Sequence, residues 1–491
     1  MALGCLTVAQ CGKRYAGGLL LLVGFGTSCL NQPAAPTGPG IARLGVAQNP
    51  YDALSTVVSL TATHVDSARV VYGADGEPQL ATPYCQMRGD SARITTLGLR
   101  PNTHYYHVVE AVGSGIRVVS DTLYFTTGDL PPFLSNVHLD MTGRAGDGYI
   151  LTAVTLFQTD TVAAAVAFDT AGQIRWYRAF TAGVGAGEAR QQSNGDFTLF
   201  LGSSQGWQPT YGRYLEFTPS GDVVQSYAAS PPFYTDGHDI LLSGTNNPVD
   251  AAQLFGYELR HADLSFKGGP PDALVAGHLI LRLSATGQVQ FFWNAWDHFV
   301  LADWIEPTGV NPPLDFDHPN SLDVDLDGNY IASFRHMGEI TKIDRHTGAI
   351  IWRLGGRNNQ FAIVNDPLGG FSGQHSVRVL DNGNLLLYDN GLRHIPPESR
   401  AVEYRLDTNL KTASLVWQYR RAPPIFTPFQ GSVQRYQNGN TLIAFSTAAL
   451  IVEVDPNGTP VWEGILRLGA QPAPLVLNTF KVPSLYRYER P

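Results

Sequence analysis

Past residue 41 the chain is written in short runs of alternating apolar and polar positions, the period of a half-buried β-strand, broken by turn residues. Between about 42 and 128 the runs are "TVVSLTATHV", "SARVVYGA", "HYYHVVEAV" and "DTLYFTTG", a spacing that predicts a small β-sandwich. Beyond residue 140 the pattern repeats. One half of each copy is a strand, a turn and a strand closing on an aromatic residue: "VAFDTAGQIRWY" (166–177), "LEFTPSGDVVQSY" (215–227), "LRLSATGQVQFFW" (281–293), "TKIDRHTGAIIW" (341–352), "VEYRLDTNLKTASLVW" (402–417) and "VEVDPNGTPVW" (452–462). The other half is a hairpin closed by Asn-Gly or Asp-Gly, as in "QQSNGDFTLFL", "SLDVDLDGNYIASF", "SVRVLDNGNLLLY" and "SVQRYQNGNTLIAF". Two hairpins make a four-stranded unit. Six such units predict an all-β protein, a six-bladed β-propeller over 140–491 behind the sandwich at 42–128.

A propeller decides where chemistry can gather. The first strand of each blade lines the central channel, so the loops that lead into those strands meet at one mouth. In the fifth unit that strand begins "GQHSVRVL" and places His375 there; in the fourth it begins "DHPNSLDV", with His318 and Asn320; in the third, "DGHDILL" supplies His238. The sixth unit reads "QGSVQRY", so the fold itself does not require a histidine. The second strand of the fourth unit, "YIASFRHMGEI", adds a cation, and alternation lets either Arg335 or His336 face the axis. Three imidazoles can ligate a metal. A permanently charged guanidinium beside them favours an anion instead, such as sulfate, phosphate or carboxylate. A histidine so surrounded can also act as a nucleophile. No metal and no cofactor is expected.

Composition narrows the partners further. Charged residues are only 15% of the chain, the net charge is −9, and no basic block exists, which argues against nucleic acid. "DVDLDGN" (323–329) matches the first half of a calcium loop but has Phe334 where the last ligand belongs, so it reads as a turn. The aromatic insertion "FFWNAWDHFVLADW" (291–304) either caps the pocket or covers a blade edge.

At the N-terminus Lys13 and Arg14 precede "YAGGLLLLVGFGTSC", an apolar stretch of signal-peptide length, and the Pro-rich tether "NQPAAPTGPG" (31–40) follows. This resembles a lipoprotein signal over 1–29, with Cys29 as the acylated residue, a tether over 30–41, and export to the periplasm or outer membrane of a bacterium. Cys85 then has no partner but Cys29. "LRPNTHYY" (99–106) resembles the tyrosine corner of fibronectin type III modules, with Tyr105 as the corner residue.

The stretches "DGHDI", "DFDHPNSLDVDLDGNYIASFRHMGEITKIDRHTGAIIWRLGG", "QHSVRVLDNGNLLLYDNG" and "SRAVEYRLD" resemble the bacterial arylsulfate sulfotransferases, most clearly over about 230–465. A sandwich before a six-bladed propeller is also that family's architecture. The resemblance implies that His375 is transiently sulfated, that His238, His318 and Arg335 line the sulfuryl group with Asn320 nearby, and that an aryl sulfate and a phenol are the partners in a ping-pong exchange without a nucleotide donor. His318 is the first candidate for proton transfer to the leaving phenolate. The propeller has no cysteine, unlike some family members, which bears on oxidative folding and not on catalysis. Two rivals remain. One is a non-catalytic surface propeller that binds an anion or protein; the other is a calcium-dependent lactonase, which would want carboxylates where this chain shows histidines.

Overall fold

The structure, a computed structural model, describes residues 38–157, 161–181, 185–202, 212–243, 251–305 and 314–486. Among the described residues six antiparallel meanders follow one another along the chain, and in all but the first of them the first strand is innermost. The second runs Gly185–Gln191, Phe197–Gly202, Arg213–Phe217 and Val223–Tyr227; the third Tyr234–Leu242, Ala252–Ala262, Ala273–Leu283 and Val289–Asn294. The fourth runs Pro319–Val324, Tyr330–Phe334, Glu339–Ile343 and Ile350–Gly355; the fifth His375–Val379, Leu385–Asp389, Arg400–Asp407 and Thr412–Arg420. The sixth is Ser432–Arg435, Thr441–Phe445, Leu450–Val454 and Pro460–Leu468, joined at its outer edge by Val137–Gly143. In the first sheet the innermost strand is Phe480–Val482, from the far end of the chain, paired antiparallel with Tyr149–Phe157. Neighbouring innermost strands touch in sequence around the whole circuit, which closes a ring.

Local chemistry explains the hairpins. At Asp325–Gly328 the glycine takes φ 85° and its N–H donates to the Asp325 carbonyl at 2.8 Å. Lys342 pairs with both Asp325 and Asp327 there, so the calcium-loop-like stretch is a turn braced by a lysine.

In three repeats a tryptophan near the close of the unit is an inter-blade clamp, whereas Tyr227 and Trp462 bond carboxylates of their own sheets. Trp176, Trp293 and Trp417 donate their indole N–H to the carbonyls of Pro219, Gly348 and Pro456, each in a turn of the next sheet. Faces between blades are filled with apolar side chains, for example Ile331, Ile340 and Trp352 against Val377, Leu387 and Tyr404. Each such side chain contributes about 1.5–3 kcal/mol through burial. The 291–304 insertion belongs to this filling: Trp293, Phe299 and Trp304 are buried with Phe316, Tyr330 and Phe334, covering a blade edge and not capping a pocket.

The N-terminal sandwich sets Gly40–Asn49, Asp52–Thr63 and Ser91–Thr96 against a second sheet built on Ser67–Gly73 and His104–Gly113. The Tyr105 hydroxyl accepts the Arg100 N–H at 3.0 Å, closing the corner. The sandwich leans on the ring through Asn49 to the Ser220 carbonyl and Ala53 N–H to the Tyr177 hydroxyl. Cys29 and the signal-like segment lie outside the described residues.

Candidate active site

His375 is the first residue of the innermost strand of the fifth sheet and is buried, 4% exposed. Its Nδ1 lies 2.7 Å from Asn390 Oδ1 and 3.0 Å from the Gly373 carbonyl. Both neighbours are acceptors, so Nδ1 carries the proton and the Nε2 lone pair is left over, accepting the Gln430 N–H at 3.2 Å. Asn390 cannot turn round, because its Nδ2 donates to the carbonyls of Thr427 and Gln430 at 2.8 Å each. Burial, then the Arg335 guanidinium, hold the imidazole well below its ordinary proton affinity. A neutral ring with a fixed lone pair is a nucleophile in its reactive form.

His238 and His318 meet edge to face, ring centres 4.8 Å apart, and His318 stacks on His336 at 4.5 Å. His318 sits at φ 49°, a left-handed conformation held by its own N–H and Nδ1, both bonded to the Asp315 carboxylate. Strain of this kind gathers at functional positions. Asp236 does the same for His238, accepting its backbone N–H at 3.0 Å and Nδ1 at 2.8 Å. Burial would discharge His238, but the Asp236 carboxylate outweighs it and raises the imidazolium above the ordinary range. His318 goes the other way. Burial, then its neighbours His336, His238 and Arg335, hold it well below.

Arg335 and His336 both leave the strand, which ends at Phe334, so alternation does not choose between them as the sequence suggested. His336 bonds the Asp315 carbonyl at 2.7 Å, and burial and Arg335 lower its pKa to about 3. Arg335 donates its backbone N–H to the His318 carbonyl and Nη2 to the Pro428 carbonyl, bridging the fourth sheet to the loop that carries Gln430. Asn320 donates Nδ2 to the Gln374 carbonyl at 2.7 Å, pinning the residue before His375, and its buried Oδ1 has no donor among the described residues.

His238, Asn320, His375 and Gln430 line one cavity of about 570 Å³. Most of the remaining lining is apolar, with Phe200, Leu466, Leu468, Pro474, Leu475 and Leu477, and Glu188 joins it as a carboxyl that burial holds well above its ordinary pKa. An aromatic ring fits the apolar lining while an anionic substituent meets the polar side.

One expectation fails here. The histidines were read as standing where a lactonase would need carboxylates, yet Asp236, Asp315 and Asp317 lie among them, all buried. They stand within three residues of His238 and His318, and each backs an imidazole away from the cavity. Two groups, Asp315–His318–His336 and His278–Asp315–Asp317, are compact enough to hold a cation. In this structure their carboxylate oxygens are met by imidazole and backbone N–H groups. Sequence reasoning also missed His278 and Asn390. Asn390 had a signal: it is the first residue after the second strand of the fifth sheet, the place Arg335 holds in the fourth.

A family model described as Arylsulfotransferase (ASST) matches residues 115–462. No curated protein matches the chain. Among solved structures, a protein of unknown function from Bacteroides caccae is similar at 13% identity and TM-score 0.41, over 71% of this chain and 100% of its own. Virginiamycin B lyase from Staphylococcus aureus is similar at 9% identity and TM-score 0.33, over 66% of this chain and 87% of its own. A Bacteroides thetaiotaomicron protein of unknown function follows at 11% and 0.31, over 88% and 99%.

Proposed function

The chain belongs to the arylsulfotransferase (ASST) family, and from that membership we propose that it moves a sulfuryl group from an aryl sulfate to a phenol in two half-reactions through a sulfated His375. The observation that carries this reading is the hydrogen-bond pattern of His375, which commits Nδ1–H to Asn390 and Gly373 and leaves Nε2 as the lone-pair nitrogen on the cavity.

In the first half-reaction Nε2 attacks sulfur, the N–S bond forms and the S–O(aryl) bond breaks, sending its electron pair to the phenolate. Charge spreads over the sulfuryl oxygens in such a transition state, and preorganised donors oppose it; one donor typically contributes a factor of about 10²–10³. The His238 imidazolium and Arg335 are the donors placed for this, and the Gln430 N–H gives up its bond to Nε2 when that nitrogen attacks. His238, held cationic by Asp236, has the proton a phenolate needs, and the same imidazole, neutral once it has given that proton away, takes it back from the incoming phenol, so the site is restored at the end of the cycle. The expectation from the sequence gave this role to His318, which burial keeps neutral. In the second half-reaction the acceptor oxygen attacks sulfur and the N–S bond breaks, restoring neutral His375. No nucleotide donor takes part. The signal-like segment and Cys29 support export with a lipid anchor.

Incubation with 4-nitrophenyl sulfate and no acceptor should release one equivalent of 4-nitrophenol and add one sulfuryl mass to the protein; added phenol should then remove it. Release that requires both substrates together would refute the covalent route.

A further inference from the structure

His278 lies in the third strand of the third sheet, 1% exposed, outside the lining of the substrate cavity. Three carboxylates face it. Asp317 accepts its Nδ1–H at 2.7 Å and its backbone N–H at 3.1 Å. Asp315 Oδ1 is 3.6 Å from the same Nδ1, and Asp236 Oδ2 is 3.7 Å from Nε2. Tyr257 is a ring neighbour, 5.7 Å away. Asp236 and Asp315 are two-faced: one oxygen of each holds a site histidine, His238 or His318, and the other looks at His278.

Three buried carboxylates this close cannot all stay ionised without an internal cation, since uncompensated buried charge is costly. Arg335 and the His238 imidazolium lie on the cavity side of the array. The inward side has His278. Burial alone would strip its proton, but Asp317 and Asp315 outweigh that and hold it well above the ordinary range.

We propose that His278 is a positioning residue of the sulfuryl transfer, a buried cation that keeps Asp236 ionised and so holds the ring of His238 with Nδ1–H inward and Nε2 toward the substrate. Its effect runs through that carboxylate. Without its charge, Asp236 takes up a proton, His238 loses the anion that keeps it an imidazolium, and one donor to the transition-state oxygens is weakened. Substrate binding in the apolar half of the cavity is untouched.

The proposal rests on the sulfotransferase reading, which wild-type turnover of 4-nitrophenyl sulfate with phenol tests first. His278→Gln, which keeps a donor for Asp317 but no charge, should lower kcat about 10–100-fold, as loss of an orienting outer partner does, with the donor KM within about twofold. Combining His278→Gln with His238→Gln should cost little more than His238→Gln alone, because both remove the same interaction. If His278→Gln does not fold, Asp317→Asn is measured; the Asp317 side chain accepts from His278, and asparagine still offers an acceptor there. It should show the same selective loss of kcat. A folded variant of either kind with wild-type kcat, a loss confined to KM, or full additivity with His238→Gln would each overturn the proposal.

Discussion

Asn390→Ala tests the tautomer argument most directly. The wild-type side chain is fully buried and makes three hydrogen bonds, one from His375 Nδ1 at 2.7 Å and two to the loop carbonyls of Thr427 and Gln430 at 2.8 Å. Removing it leaves those two buried carbonyls without this donor, at about 1–3 kcal/mol each, so a stability loss of about 2–6 kcal/mol is expected. The effect on chemistry is separate. The Gly373 carbonyl at 3.0 Å still accepts from Nδ1, so the ring keeps one of its two anchors and the reactive tautomer is depleted, not abolished. A loss of about 10–100-fold in the rate of His375 sulfation follows, with little change in donor KM. Single-turnover release of 4-nitrophenol gives the rate, and urea unfolding gives the stability. A folded Asn390→Ala protein that is sulfated at the wild-type rate refutes the reasoning.

Asn390→Asp adds a sign. An anion beside Nδ1 favours the imidazolium, so the His375 pKa rises from its depressed wild-type position. Attack needs the neutral ring, which is present above the pKa and lost as pH falls through it. The acid limb of kcat/KM for the donor must therefore move to higher pH in the variant; a limb that stays put, or moves down, removes Asn390 from contact with the reacting ring.

His375→Ala should abolish both transfer and the mass gain, because no neighbouring electrostatic group replaces a nucleophile; an adduct that still forms makes His318 the next residue to test. Activity should survive exhaustive chelation, since the buried carboxylates already have imidazole partners; stoichiometric metal whose removal stops turnover overturns the anion-site reading. Cys29→Ser should move the protein from membranes to the soluble periplasmic fraction, and an unchanged distribution leaves only a cleaved signal. Arg400→Met strands the fully buried carboxylates of Asp389 and Asp366 and should cost about 3–5 kcal/mol by urea unfolding. A cost under about 1 kcal/mol would mean that the pair is dispensable.

The repeat was legible because each sheet uses the same turn chemistry and the same closing aromatic, so six noisy copies reinforce one another. The convergence of His238, Asn320 and His375 on one cavity was legible for a related reason, since equivalent places in a ring face the same channel. What backs the histidines was not. Asp236, Asp315 and Asp317 were in plain view beside them, but the backbone leaves regular strand geometry there, with His318 and Ser376 at φ 49° and 54°, and period-two facing no longer applies. His278 was hidden differently. It sits on a third strand, two strands out from the channel, and reaches the site only because Asp315 and Asp317 come back across that strand; Leu314–Asp315 pairs parallel with it at Val275–Ala276. No local pattern announces a long-range pairing of that kind.

The ring is sealed by Phe480–Val482 lying against Tyr149–Leu151, and this puts a clock on the site. Every residue of the sulfuryl-binding array has been joined to the chain once Gln430 is made, yet the circuit that presses those residues together cannot shut until the segment at 480 arrives. At synthesis rates of about 5–20 residues per second, His375 waits on the order of 5–20 s before its channel exists. During that interval five sheets and part of the sixth can form as neighbours, because each meander is local, while the seal joins residues at opposite ends of the barrel-forming region and is the slow, non-local step. A ribosome stalled a few dozen codons early would therefore release a chain with all of its chemistry encoded and none of it enclosed.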